Sequence, residues 1–256
     1  MQEALRQGIA IYVINLDRST DRLEKISAQL RQLNLPFQRI SAVDGKYATA
    51  AQKQALNLNL YKKRHGKMPT PGELGCYLSH YEAICMAAKS DSNFSLILED
   101  DAILGACLSN TLNALSTTPA SWDLVKLSGV HSGTPIRVMP LSKGETLSVL
   151  LTKCTGASAY LINKKASLAL RDGLLPMSLP IDHEIDKGWH YKLQVRAVLP
   201  FPITHNTEAV STIGALPKYL KLPSHQRIPT HIYRVKTEIR RLVYGLGQLL
   251  RSRCQN

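Results

Sequence analysis

The chain has 256 residues, 44% of them apolar, with 15 glycines and 13 prolines, which is enough to bury a core and too little Gly or Pro for a fibrous or disordered chain. Its formal net charge of +13 suits nucleic acid, an anionic membrane or a phosphorylated substrate, yet nine basic residues against the single acid Glu238 lie from Lys218 onward, leaving the rest at only +5. A modestly basic body with a concentrated cationic end argues against a nucleic-acid groove spread over the fold and for a catalytic body with an electrostatic anchor.

Residues 9–16, IAIYVINL, form a nearly continuous β-prone run, as expected of a parallel strand buried on both faces. Residues 17–21 supply turn and capping groups, and Leu23, Ile26, Leu30 and Leu33 then recur at helical spacing. After Pro36, FQRISAV predicts a shorter strand ending at Asp44-Gly45, so the first 45 residues read as a βαβ unit of the nucleotide-binding kind. Residues 46–68 are polar, lysine-rich and weakly patterned, helix plus loop without fixed bounds. Thr70-Pro71-Gly72-Glu73 starts a helix with Leu74, Leu78, Tyr81, Cys85 and Ala88 along one side. FSLIL follows as another fully apolar strand that stops at Glu99-Asp100-Asp101.

Further strands are predicted at 122–128, 147–152, 157–162 and 192–199, with a helix at 164–174. Pro200, Pro202, Pro217, Pro223 and Pro229 mark an irregular connector. Beyond it Ile232, Val235, Ile239, Leu242, Val243, Leu246, Leu249 and Leu250 make an apolar stripe, with Arg234, Lys236, Arg240, Arg241 and Arg251 on the other side. The expected organisation is an α/β catalytic domain over 1–205, a Pro-rich connector over 206–230 and a basic amphipathic helical tail over 231–256.

No apolar run approaches the roughly 18 to 20 residues needed to cross a bilayer, and the opening lacks the pattern of a signal peptide. Cys76, Cys85, Cys107, Cys154 and Cys254 are odd in number and scattered, without a CxxC pair, which reads as free thiols in a reducing compartment. The expected location is therefore cytoplasmic.

Three consecutive acids at the end of a buried strand repel one another and call for a cation. Glu99 and Asp101, two residues apart, can aim two carboxylates at one site, and oxygen ligands suit Mg²⁺ or Mn²⁺ bridging a diphosphate; the plainer alternative is a solvated acidic turn capping a helix. Asn15, Asp17, Arg18, Asp21 and Arg22 cluster after the first strand, where open α/β sheets bind ligands. The two arginines can hold phosphate oxygens there, or the segment is an ordinary capped helix with Asp17 paired to Arg22. Neither GxGxxG nor GxxxxGK[ST] occurs, so a dinucleotide enzyme and a P-loop ATPase are not supported.

The blocks IYVINLDRSTDR, PGELGCYLSHYEAI, LILEDDA, TGASAYLINKKA and PIDHEID together resemble glycosyltransferase family 25, which contains lipopolysaccharide and collagen galactosyltransferases. They follow the family's order and cover most of residues 9 to about 190. The resemblance implies a GT-A type nucleotide-diphospho-sugar transferase fold with a mostly parallel central sheet. It also implies a DxD-like motif holding a divalent cation, Mn²⁺ or Mg²⁺, against the donor diphosphate. That motif reads Glu99-Asp100-Asp101 here, with Asp101 the safer ligand because Glu stands first. Asn15, Arg18 and Arg22 match the donor-side motif; Asp44 is a reasonable nucleoside contact; Ser79 and His80, with Gly75, match the helix beside the donor site.

Inverting transfer, which the resemblance also implies, needs a carboxylate general base within reach of the acceptor hydroxyl. Asp182 in PIDHEID is favoured and Glu184 comes next, the alternative being that this acidic run only orders an acceptor loop. His205 is a candidate third metal ligand, or a structural histidine. The C-terminal stripe either docks on the body or seats the protein on the inner face of an anionic membrane. The leading expectation is an inverting, metal-dependent transfer of hexose, galactose foremost, from a UDP-sugar to a lipid-linked lipooligosaccharide acceptor, with no nucleic-acid partner. The competitors are a GT-A-like nucleotidyltransferase and a non-enzymatic basic adaptor for membrane or RNA.

Overall fold

A computed structural model describes residues 8–131, 133–142, 144–205 and 221–254. The first elements are β1 (Ile9–Asn15), α1 (Thr20–Gln32), β2 (Gln38–Ser41), α2 (Ala50–Gln54), α3 (Leu58–His65), α4 (Pro71–Lys89) and β3 (Phe94–Glu99). There follow β4 (Ala102–Leu104), α5 (Leu108–Ser116), β5 (Leu124–Lys126), β6 (Pro135–Pro140), β7 (Thr146–Leu150), β8 (Ala159–Asn163) and α6 (Lys164–Gly173). The chain closes with α7 (Ile181–Ile185), α8 (Gly188–Tyr191), β9 (Val195–Leu199), β10 (Ile203–His205) and α9 (Ile228–Cys254).

Eight strands form one sheet in the order β2-β1-β3-β8-β5-β9-β7-β6, and β10 pairs separately with β4. β1 is parallel to both β2 and β3, and β5 to β9, while β8 and β7 run against their neighbours. Most strands thus share a direction, in a mixed α/β fold with a large central sheet. The continuous apolar strands have a simple cause. Alternate side chains point to opposite faces, and both faces are covered: Tyr12, Ile14 and Ile97 meet Leu78 and Ile84 of α4, while Ile11, Val13 and Leu96 meet Ile26 and Leu30 of α1 and Leu112 of α5.

Two features set up the site. In the parallel register Ile14 stands opposite Glu99, so the chain leaves β1 and β3 side by side. Helix α4 starts beside them, closed by Pro71 in its first turn and by a capping box between Thr70 and Glu73. The short 3₁₀ turn Gly45–Tyr47 lies directly on that helix start. A Cβ on Gly45 would come within 1.6 Å of the Pro71 carbonyl oxygen, and one on Gly75 within 2.4 Å of the Val43 carbonyl oxygen. Only glycine at both positions permits this approach.

The weakly patterned stretch at 46–68 contains two short capped helices, α2 and α3. The tail helix starts at Ile228 rather than 231, because Pro229 is tolerated in a first turn. Most of the predicted connector, 206–220, lies outside the described residues. Among the described residues no helix is long and apolar enough to cross a membrane, and Cys76, Cys85, Cys107 and Cys154 are unpaired.

Candidate active site

A cleft opens where β1 and β3 end, walled by the turn after β2 and the first turns of α4. This is the carboxyl edge at which parallel α/β sheets bind ligands. Of the residues singled out by sequence, Arg18, Arg22, Asp44, Ser79, His80, Glu99, Asp100 and Asp101 line it. Lys46 and Cys76 line it too. Cys76 has a legible signal, standing four residues before His80 on the same helical face; Lys46 has none.

The N-terminal motif does not form the Asp17–Arg22 pair of an isolated capped helix. Asp17 is paired with Arg39 and accepts from Ser41 Oγ at 2.8 Å, which holds its carboxyl below its ordinary pKa range. Arg22 reaches instead to Asp100 at 3.3 Å. Asn15 lies behind the lining: its Nδ2 donates to Asp100 Oδ2 at 2.7 Å and to the Ser19 carbonyl at 2.9 Å, and its Oδ1 accepts from Arg39 Nε at 3.0 Å. Asp100 is therefore held by Asn15 and Arg22. Arg18 pairs with Asp44, whose other oxygen accepts from Lys46 N at 3.1 Å. Ser79 is committed to backbone, accepting from Val43 N at 2.8 Å and donating to the Gly75 carbonyl at 2.7 Å.

Three acids, Glu99, Asp100 and Asp101, line the cleft together. His80, buried, lies with Nε2 3.0 Å from Glu99 Oε1 and Nδ1 3.0 Å from the Tyr160 hydroxyl, and stacks on the Tyr160 ring. Burial acts to raise the Glu99 pKa, but the hydrogen bond and charge of His80 outweigh it and hold the carboxyl below its ordinary value. Asp101 is less supported: among the described residues its Oδ1 is buried without a hydrogen-bond partner, and burial, reinforced by the charges of Glu99 and Asp100, outweighs the charge of Arg22 and its own backbone hydrogen bond and pushes its pKa up to about 6.

An orphaned carboxylate oxygen two residues from a second carboxylate fits a divalent cation. Cys76 Sγ and His80 stand close by: one ligand atom from each of Cys76, His80 and Glu99 lies within 4.8 Å of the others. His205 enters only through its backbone, which pairs with Ala102 next to Asp101; its side chain lies outside what is described.

The two acids of PIDHEID part company. Asp182, partly exposed at the start of α7, accepts from Gly156 N at 3.1 Å and from His183 N at 3.0 Å. Burial works to raise its pKa, yet His183, the Gly156 amide, Lys126 and Lys153 together hold it low. Asp182 is absent from the cleft lining, but its charge is felt by Cys76 and Glu99. Glu184 is buried, paired with Lys187, and accepts from Ser178 Oγ and the Tyr191 hydroxyl, each at 3.2 Å. Its oxygens are taken up inside the fold.

Comparison with known proteins bears on this cleft. The family described as "Glycosyltransferase family 25 (LPS biosynthesis protein)" matches residues 9–185, which run from β1 to the end of α7. Procollagen galactosyltransferase 1 of Danio rerio is 32% identical over 123 residues, 45% of this chain and 20% of that protein. Procollagen galactosyltransferase 2 of Homo sapiens is 34% identical over 95 residues, 36% of this chain and 15% of that protein. The chain thus spans a fifth or less of the length of these relatives. A structure described as "Crystal Structure of A197 from STIV" superposes at a TM-score of 0.38 with 8% identity, over 74% of this chain and 81% of the other.

Proposed function

The chain belongs to glycosyltransferase family 25, and on that premise we propose that it moves a hexose, galactose foremost, from a UDP-sugar to a lipooligosaccharide or lipopolysaccharide acceptor with inversion. What supports the reading most is the buried Oδ1 of Asp101, unpartnered among the described residues, in a cleft lined also by Glu99, Arg18, Arg22 and Lys46. Carboxylates and cations lining one cleft suit a diphosphate bridged to a cation, as in the GT-A type of transferase.

In this reading Asp44 contacts the nucleoside, freeing Arg18 to turn to the phosphates alongside Lys46. Arg22 stays shared between the diphosphate and Asp100. Asp101 and Glu99 would hold a divalent cation, Mn²⁺ or Mg²⁺, which when bound neutralises charge on the departing UDP. His80 keeps Glu99 ionised and oriented, and Tyr160 fixes the imidazole from behind. Asp182, kept ionised by its neighbours, takes the proton of the acceptor hydroxyl as that oxygen bonds to the anomeric carbon and the bond to the diphosphate breaks.

The test is a panel of UDP-sugars with Mn²⁺, following sugar-dependent release of UDP with and without EDTA. We expect UDP-galactose to give the fastest release and EDTA to abolish it. Formation of UTP and sugar 1-phosphate on addition of pyrophosphate, with no release of UDP, would favour a nucleotidyltransferase, and no release from any UDP-sugar would reject transfer altogether.

A further inference from the structure

Amphipathic helices on globular proteins normally turn their apolar side to the core. Helix α9 does the reverse. The side that meets the body carries Thr230, Arg241, Tyr244 and Gln248. Arg241, buried, pairs with Asp186 and lies over the Trp189 ring at 5.2 Å. The Tyr244 hydroxyl donates to the Leu193 carbonyl at 2.6 Å and accepts from Val195 N at 2.9 Å, and Gln248 accepts from Arg196 at 2.9 Å. The outer side presents Ile232, Val235, Ile239, Val243, Leu246 and Leu250, each 48–66% exposed.

These six recur every three or four residues and draw a straight apolar stripe about 27 Å long at 1.5 Å per residue. A twist of the helix that hid the stripe would pull Arg241 away from buried Asp186 and break the hydrogen bonds of Tyr244 and Gln248 to the body. The polar side is therefore a fastening and the apolar side is a presented surface. Exposed Lys236, Arg240 and Arg251 run along one margin of the stripe, and Glu238 is the one acid in the helix. A second copy of the chain laid antiparallel on this stripe about a two-fold would set those cations against their own images. An anionic lipid surface meets them with opposite charge and takes the stripe into its acyl boundary.

We propose that α9 is a membrane seat, lying in the plane of an anionic bilayer with its apolar stripe inserted and its cationic margin on the headgroups. The proposal stands apart from the transferase reading. The seat adjoins the catalytic body near the cleft: Thr230 packs on Gly66, at the head of the turn that leads to Thr70 and Pro71 in the cleft wall.

Co-sedimentation of the full chain with vesicles of phosphatidylcholine alone, or of phosphatidylcholine with phosphatidylglycerol, tests it. The unmodified chain should pellet with the anionic vesicles at least about tenfold more strongly than with neutral ones. A triple variant, Ile239→Glu, Val243→Glu and Leu246→Glu, should lose about a hundredfold in partitioning while keeping its melting temperature. Lys236→Glu with Arg240→Glu should weaken only the anionic preference. Undiminished vesicle binding by the triple variant would overturn the proposal. So would no vesicle binding by the unmodified chain, or a sedimentation-velocity dimer that the triple variant dissolves.

Discussion

Asp101→Asn should cut UDP-sugar turnover by about a thousandfold or more while making the metal-free protein more stable. The loss follows from the role: a neutral amide leaves Glu99 without its partner carboxylate and the diphosphate with nothing to balance it on that side. The gain follows from burial. The folded chain raises the pKa of Asp101 to about 6 from an ordinary value of 3.8, so the fold prefers the uncharged acid. Its favourable contribution is complete below the ordinary aspartate range and disappears as pH rises through about 6. At pH 7.5 the asparagine variant should therefore be more stable by about 1–2 kcal/mol, allowing for solvent screening, or a few degrees in Tm. At pH 4 the two proteins should melt together. Mn²⁺ should raise the Tm of the unmodified chain and leave the variant unmoved; equal Mn²⁺ shifts in both would remove Asp101 from the metal site.

Asp182→Asn should lower kcat by about a thousandfold and leave UDP affinity unchanged, since a general base acts on the acceptor rather than on the nucleotide. Glu184→Gln should behave differently. It leaves Lys187 buried without its counter-charge, costing about 3–5 kcal/mol of stability, with kcat per folded molecule near that of the unmodified chain. The pH profile separates them further. Because Asp182 is held below its ordinary pKa, it is already ionised at neutral pH. At saturating Mn²⁺, which keeps Asp101 ionised, the acid limb of kcat should lie below the usual carboxylate range, and its position should not respond to Glu184→Gln. Near-normal kcat in Asp182→Asn, or an acid limb near pH 7, would assign the proton to another group.

Much of the cleft was legible in the sequence because strand ends are. A run buried on both faces must stop where polar residues begin, and in a parallel pair the stopping points of β1 and β3 coincide, which brings the Asn15–Arg22 segment and the Glu99 triplet to one edge. Ser79 and His80, by contrast, were singled out by the family resemblance and not by helical spacing, and both line the cleft. What local pattern does not encode is which polar group spends its hydrogen bonds where. Ser79 is used up on the Val43 and Gly75 backbone, and Glu184 on Lys187, Ser178 and Tyr191, through partners distant in the chain or brought together by packing. The tail shows the same limit at larger scale. Its amphipathic period was plain, but the choice of docking side was made by Asp186, 55 residues from Arg241, and no periodicity within the helix reports it. The short strand β4 and helix α7 are too brief for any period to declare itself.

Binding of a nucleoside diphosphate in the cleft through a cation held at Asp101 and Glu99 can be read by calorimetric titration of UDP into the full chain with Mn²⁺ and again with excess EDTA, repeated for Asp101→Asn. UDP should bind saturably with Mn²⁺, weaker by at least about a hundredfold with EDTA, and similarly weakly to the variant under both conditions. Equal UDP affinity with and without chelator, unchanged by the substitution, would show that no cation at Asp101 and Glu99 holds the diphosphate.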